Sequence, residues 1–286
     1  MGFRTVIIKD RSKLDLKLNY LVCRNQTESK VFIPEISTLI IESTAVSLTS
    51  ALLSELTKNN VKIVFCDEKH NPESELVSYY GNYNVSERTY NQIMWQPNIC
   101  TEVWTKIVAN KIFRQMCFLK KRGLKEADLL NSYIDQIEPN DTTNREGHAA
   151  KVYFDALFGN EFCRRDSSFV NSALNYGYAI ILSCFNREIV AEGYLTQLGI
   201  WHKNQFNYFN LSCDLMEPFR IIVDQCVLDM PDKDPEFKTK LVDLLNTCVY
   251  IDGKKQYLDK AVTIYCQSVF EALNKNDAGL IKFYEL

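Results

Sequence analysis

In KLDLKLNY, residues 13–20, Leu14, Leu16, Leu18 and Tyr20 alternate with polar neighbours. A period of two puts alternate side chains on opposite faces of an extended chain, so the run predicts a half-buried strand. RTVIIKD, just before it, is a short β-branched run, and KVFIPEISTLIIEST gives a further strand or two. Pro34 interrupts the latter, because proline cannot donate to a central ladder. The period then changes. Ala45, Val46, Leu48, Leu52, Leu53 and Leu56 form a stripe at helical spacing, which stops at Asn59-Asn60 before a strand in VKIVFCD.

From NPESELVSYYGNYNVSERTY onward the strand pattern fades, and Pro72, Gly81 and three asparagines mark a connector. Helical patterns dominate from about Ile99 to the end. The expected fold is α+β, with a small β-rich N-terminal domain over 1–80, a connector over 81–98 and a larger all-α domain over 99–286. Residues 173–186 carry no charge, but Asn175, Ser183 and several tyrosines make this a buried helix, not a membrane span.

Composition narrows the function. The chain has 286 residues, 46% hydrophobic and 24% charged, with a net charge of −3. That excludes coating nucleic acid by bulk charge, though not a local basic groove. No signal-peptide core is visible, so a cytoplasmic protein with no membrane role is expected. Ten cysteines lie scattered without a C-x-x-C pair, which reads as reduced thiols and argues against a thiolate zinc site. No glycine-rich nucleotide loop is present.

WHKNQFNYFNLSCDLMEPFR, residues 201–220, holds one of only three histidines. A helix ending near Gly199, as its C′ residue, would leave His202 in the following loop. Asp214 and Glu217 follow at a spacing of three. D-x-x-E is also a capping box, with Asp214 as N-cap and Glu217 at N3, so these residues alone admit a structural reading. Thr143-x-x-Glu146 offers the same alternative. Beyond it, Ala149, Ala150 and Tyr153 mark a close-packed face that would turn Glu146 inward. Together Glu146, His202, Asp214 and Glu217 supply oxygens and one imidazole, a set suited to Mg²⁺ or Mn²⁺. His148 and His70 are weaker candidates.

Between Val103 and Lys125 stand seven basic residues and no acidic one. Trp104, Val108, Ile112 and Leu119 share one helical face, with Lys111, Arg114, Lys121 and Arg122 on an adjacent arc. Such an arc is either a solvated face or a phosphate track. Lys203 and Arg220 lie close in sequence to the acidic cluster and could offset phosphate charge. Tyr20 is either a half-buried strand residue or an aromatic that stacks on the end of a duplex.

NREGHAAKVYF, LGIWHKNQFN and DLMEPFR, in this order and at these separations, resemble the CRISPR-associated integrase that inserts new spacers, the Cas-one family, in its type II variant. The resemblance extends over the whole chain. It implies a homodimer with a β-rich N-terminal domain and a helical catalytic domain. It puts the metal triad on Glu146, His202 and Glu217, with Asp214 as an additional acidic position, either behind the ligands or a transient ligand itself. The implied reaction is attack of a 3′-hydroxyl of a short captured duplex on a phosphodiester at a CRISPR repeat. The implied partners are double-stranded DNA, a small Cas-two subunit in a four-plus-two assembly, and other type II adaptation proteins. Two competing functions stay open: a metal-dependent nuclease of branched DNA that does not join, and a DNA-end-binding scaffold whose carboxylates only cap helices.

Overall fold

The computed structural model describes residues 2, 4–76, 78 and 84–285. The chain divides into two compact units, Met1–Val85 with Val190–Gly193, and Ser86–Ile189 with Tyr194–Leu286.

The first unit is built on two four-stranded sheets. One holds β1 (Arg4–Ile8), β5 (Ile36–Ile41), β7 (Lys62–Cys66) and β8 (Pro72–Leu76), in that spatial order. The other runs β4 (Glu28–Phe32), β3 (Tyr20–Arg24), β2 (Ser12–Lys17) and β6 (Val46–Leu48). Leu14 and Leu21 of one sheet, Ile8, Leu39 and Ile63 of the other, and Leu52 and Leu56 of helix α1 (Ser50–Lys58) form a single core. Each such side chain contributes about 1.5–3 kcal/mol when fully buried. Pro34 lies in a 3₁₀ turn, Ile33–Glu35, between β4 and β5, where no ladder donor is needed.

Three expectations are corrected here. The alternating run does not continue to Tyr20 as one strand. Leu18 (φ 49°) and Asn19 (φ 64°) form a two-residue hairpin turn, and Leu18 is 84% exposed. The stripe expected to begin at Ala45 is strand β6 over its first residues, and α1 starts only after Thr49, whose side chain accepts from the Leu52 amide at 3.3 Å. The strand signal also persists past residue 71. β8 pairs antiparallel with β7 on the sheet edge, and Pro72 is its first residue, where its missing N–H costs no ladder bond.

The second unit is mostly helical. Helix α2 (Val85–Ile93) occupies much of the expected connector, of which residues 81–83 lie outside the described residues. Helix α3 (Pro97–Lys121) is about 38 Å long at 1.5 Å per residue and begins with Pro97, whose fixed φ suits a first helical position. It packs against α4 (Glu126–Ile134), α5 (Arg145–Phe158) and α10 (Leu258–Lys275). Between α5 and α10 come α6 (Phe169–Ala191), α7 (Asn210–Met216), α8 (Arg220–Leu228) and α9 (Phe237–Asp243). The uncharged stretch 173–186 is the buried middle of α6. No helix of the described residues is long and apolar enough to cross a membrane.

This part is not all-α as expected. Strands β9 (Cys248–Ile251) and β10 (Lys254–Tyr257) form a hairpin over Asp252-Gly253, both at positive φ. Asp-Gly is a strong two-residue hairpin signal. Glu285 pairs with Tyr250 on the open edge of β9.

Candidate active site

Asp214 anchors the first corner of the site. It is not an N-cap, because α7 begins at Asn210, and Asp214 faces inward from the helix with no exposure. One oxygen, Oδ2, accepts the amides of Ile200 (2.6 Å) and Trp201 (3.0 Å). The other, Oδ1, accepts the His202 amide at 3.1 Å and lies 2.5 Å from His202 Nδ1. A carboxylate can only accept here, so Nδ1 carries a proton, and in the neutral ring Nε2 keeps its lone pair. The hydrogen bond to Asp214 raises the His202 pKa above 6.5 against the opposing effect of burial.

The loop itself is held from the other side by Trp104 of α3. Its ring stacks on Trp201 at 5.7 Å and meets His202 edge-on at 5.8 Å. Gly199 is not a helix cap, since α6 already ends at Ala191 and Gly193 (φ 83°) supplies the left-handed residue. Its value is space. A Cβ at Gly199 would collide with the His202 carbonyl oxygen and come within 2.7 Å of Asp214 Oδ2.

The second corner joins α3, α5 and the turn after α7. Lys111 Nζ donates to Glu146 Oε1 and to Glu217 Oε2, each at 2.5 Å. Arg220 Nε donates to the other oxygen of Glu217 at 2.9 Å. Burial alone would raise the Glu217 pKa, but Arg220 and Lys111 outweigh it and lower it to about 2. Burial likewise works to lower the Lys111 pKa, and Glu217 and Glu146 turn the net shift upward. Glu217 is therefore held as a carboxylate, and both glutamates address one cationic position.

Backbone features fix these carboxylates. Pro218 cannot continue α7 as a donor, and the chain passes through a 3₁₀ turn, Glu217–Phe219, before α8. The Tyr284 hydroxyl donates to the Pro218 carbonyl at 2.9 Å, and the Tyr284 ring lies 4.6 Å from Phe219. On the other arm, the Thr143–Glu146 capping box, the structural alternative for this motif, does not form. Asp141 takes its place, accepting the Arg145 amide at 2.7 Å and the Glu146 amide at 3.0 Å. Asn140, Asp141 and Asn144 all adopt positive φ on the approach, a conformation that Asn and Asp tolerate best among non-glycine residues.

The donors suit a hydrated divalent ion: two acidic side chains already converge on a positive charge. A cavity of about 230 Å³ lies beside them, lined by Lys111, Gln115, Glu146, Tyr178, Glu217 and Arg220. Gln115 is 4% exposed and its Oε1 has no hydrogen-bond donor, an oxygen that a cation or its water would satisfy. The three candidate acids and the imidazole do not close into one cage. Among the described residues no three His, Cys, Asp or Glu side chains form a ready metal group, and His202 lines a separate cavity of about 610 Å³ with Lys203.

The basic arc is not a single exposed track. Lys111 and Arg114 are each 8% exposed, and the Arg114 guanidinium lies 3.6 Å from the centre of the Tyr284 ring. Lys121 and Arg122 are exposed, with Arg122 paired to Asp229. Lys203 is exposed beside His202. In the first unit, Tyr20 opens β3 with its ring 39% exposed and 5.2 Å from Phe32. His148 and His70 lie exposed. Sequence patterns alone do not point to Asp141, Gln115, Trp104 or Tyr284 as parts of the site. Only Asp141 carries a usable signal there, standing four residues before a helix start.

The helical unit carries two acids that meet at one lysine and a histidine oriented by a buried aspartate, a constellation of acid–base or ligand-type side chains. The family model for CRISPR associated protein Cas1 matches residues 5–239. The CRISPR-associated endonuclease Cas1 of Neisseria meningitidis serogroup C is 30% identical over 295 residues, covering 100% of this chain and 97% of the relative. The chain belongs to the Cas1 family. Its fold is also similar to a casposase bound to integration product (TM-score 0.78, 19% identity, 97% of this chain and 92% of that one). A Cas6-RT-Cas1–Cas2 complex matches too (TM-score 0.76, 14% identity, 98% of this chain and 36% of that one). At these identities the two structures speak to fold alone.

Proposed function

We propose that this chain is a metal-dependent DNA integrase of CRISPR adaptation, acting in the cytoplasm. It joins the 3′-hydroxyl ends of a short captured duplex to a CRISPR repeat. The carrying observation is the convergence of Glu146 and Glu217 on one cationic position, in a Cas1 chain whose His202 is oriented by Asp214. Glu146, Glu217 and His202 through Nε2 would hold Mg²⁺ or Mn²⁺. When bound, the ion would acidify the attacking hydroxyl and offset charge on the phosphoryl oxygens.

The chain's own residues do the rest. Asp214 keeps the proton on His202 Nδ1 and the lone pair on Nε2. Arg220 holds one Glu217 oxygen, which leaves the other to face the shared position. In the reaction the 3′-oxygen bonds to phosphorus and its proton departs. The repeat's own P–O3′ bond breaks, and the released 3′-oxygen takes up a proton. In the assembly that the sequence resemblance implies, the protein works as a homodimer, two of which pair with a Cas2 dimer and double-stranded DNA.

The test mixes purified protein and its Cas2 partner with a labelled duplex and a supercoiled plasmid bearing a repeat. Label should join the plasmid in Mg²⁺ or Mn²⁺, and joining should vanish with EDTA or a 3′-dideoxy end. Nicking that ignores the blocked end would establish a plain nuclease instead. Binding without covalent change would establish a scaffold.

A further inference from the structure

Lys111 stands in the position that the proposed metal needs. Its ammonium is 2.5 Å from Glu146 Oε1 and 2.5 Å from Glu217 Oε2, and Arg220 already occupies the remaining Glu217 oxygen. A magnesium-sized ion would sit about 2.1 Å from the same oxygens. An ion at these oxygens would stand within a few ångströms of the ammonium, so the two like charges compete for the site. The structure also offers the lysine somewhere to go. Gln115 is one helical turn further along α3, at i+4, and so lies on the same face as Lys111. It lines the same cavity, it is buried, and its Oε1 receives no donor.

We infer that Lys111 is an exchangeable counter-ion. It holds Glu146 and Glu217 together in the metal-free protein, yields to the divalent ion, and takes the Gln115 carbonyl as its second partner. The inference rests on the metal reading of the two glutamates given above. Its physical logic is charge balance. Without metal, two carboxylates face Lys111 and Arg220, so the corner is neutral and does not repel itself. With the ion bound, both cationic side chains remain in the cavity and the corner becomes positive. Metal loading would thus prepare the pocket for a phosphodiester. Lys111 is a positioning residue in this scheme, and part of the metal's affinity is spent on evicting it.

Mn²⁺ binding to the full-length protein, followed by calorimetry or by the Mn²⁺ resonance signal, tests this directly. Lys111→Met removes the competitor and should bind Mn²⁺ roughly tenfold tighter or more, since the state competent for metal no longer has to be freed first. A merely structural lysine predicts the reverse, weaker binding by the variant. Gln115→Leu should weaken Mn²⁺ binding by wild type yet leave that of Lys111→Met unchanged, because the second partner matters only when the lysine is present. Equal effects in both backgrounds would remove Gln115 from the scheme.

A measurement on wild type covers the case of a variant that does not fold. Reductive methylation read by mass spectrometry should spare Lys111 without metal and label it at saturating Mn²⁺. Equal protection in both conditions overturns the exchange. If wild type binds Mn²⁺ and Lys111→Met binds it no tighter, this inference falls while the metal reading stands. If neither protein binds Mn²⁺, the metal reading falls and carries this inference with it.

Discussion

The two acidic corners of the site are built by opposite means. Asp214 is fixed by three backbone amides, none of which can leave without unfolding the loop 200–202, and it also holds an imidazole. Glu146 and Glu217 are fixed by side-chain cations, Lys111 and Arg220, which can swing away at the cost of rotamer changes alone. The first corner is a frame, and the second is a receptacle. A buried carboxylate satisfied by amides has no capacity left for a ligand, whereas one satisfied by an ammonium can trade that cation for another. That contrast makes Asp214, of the four candidates, the one with the least free acceptor capacity and the one best placed to orient a neighbour.

The largest expected effect comes from the receptacle. Glu146→Ala and Glu217→Ala should each lower strand joining by about a hundredfold or more, on the scale seen when a preorganised charge-stabilising group is lost. Duplex binding, measured by gel shift, should change little. Near wild-type joining by either variant would make that glutamate structural.

The frame predicts a different profile. Asp214→Asn should reduce metal affinity by about 10- to 100-fold, the usual cost of losing the group that orients a ligand imidazole. It should also move a pH midpoint. Neutral Nε2 is needed, and Asp214 raises the His202 pKa above 6.5, so joining in wild type should fall as pH drops through a value above 6.5. In Asp214→Asn the midpoint should lie lower. A pH–rate profile with the same midpoint in both proteins would separate His202 from the reaction.

A third acid sharpens the comparison. Asp224 is 1% exposed, and tyrosine hydroxyls, Tyr178 first among them, face it in place of the amides of the frame or the ammonium of the receptacle. Burial pushes its pKa from 3.8 up to about 6. For an acid with a raised folded pKa, stability is greatest below the unfolded value and declines as pH rises through the folded one. Asp224→Asn should therefore match wild type near pH 4 and be more stable above pH 6, by up to about 3 kcal/mol. Urea melts across that window would show it, and a constant difference at all pH values would refute it.

How much of this is legible in the sequence follows from the same contrast. The motifs around Glu146, His202 and Glu217 lead to the residues that line the two corners, because carboxylate and imidazole chemistry is written in residue type. The partners are harder. D-x-x-E spacing is identical for a cap and for a buried ligand-like pair, and only the start of α7 at Asn210 decides between them. Lys111 and Arg114 fall on a basic arc in the sequence because helical periodicity assigns faces without saying what packs on them. α3 is covered on several sides, so its charged arc meets protein, and both residues are buried. Tyr284 and Trp104 reach the site from about 66 and about 98 residues away from Pro218 and His202, separations no local pattern encodes. The hairpin at Asp252-Gly253 is readable in principle, but the long helices around it hide the signal.

The smallest effects belong to the exposed cations and the N-terminal aromatic. Lys121→Glu with Arg122→Glu should flatten the salt dependence of DNA affinity by about 0.9 log units for each phosphate that is no longer neutralised. An unchanged slope would leave them on a solvated face. Tyr20→Ala should weaken binding to duplex ends only modestly, and equal end-binding by variant and wild type would assign the ring to Phe32 alone.

Gly199 turns all of this into a question of tolerance. The space between the His202 carbonyl and Asp214 is narrower than one methyl group. An alanine there would introduce no charge, no polarity and no new chemistry, only volume. The loop would have to retreat, and the imidazole with it. The site's working clearance is therefore smaller than a carbon atom, and Gly199 works as a spacer gauge whose only function is to be thin.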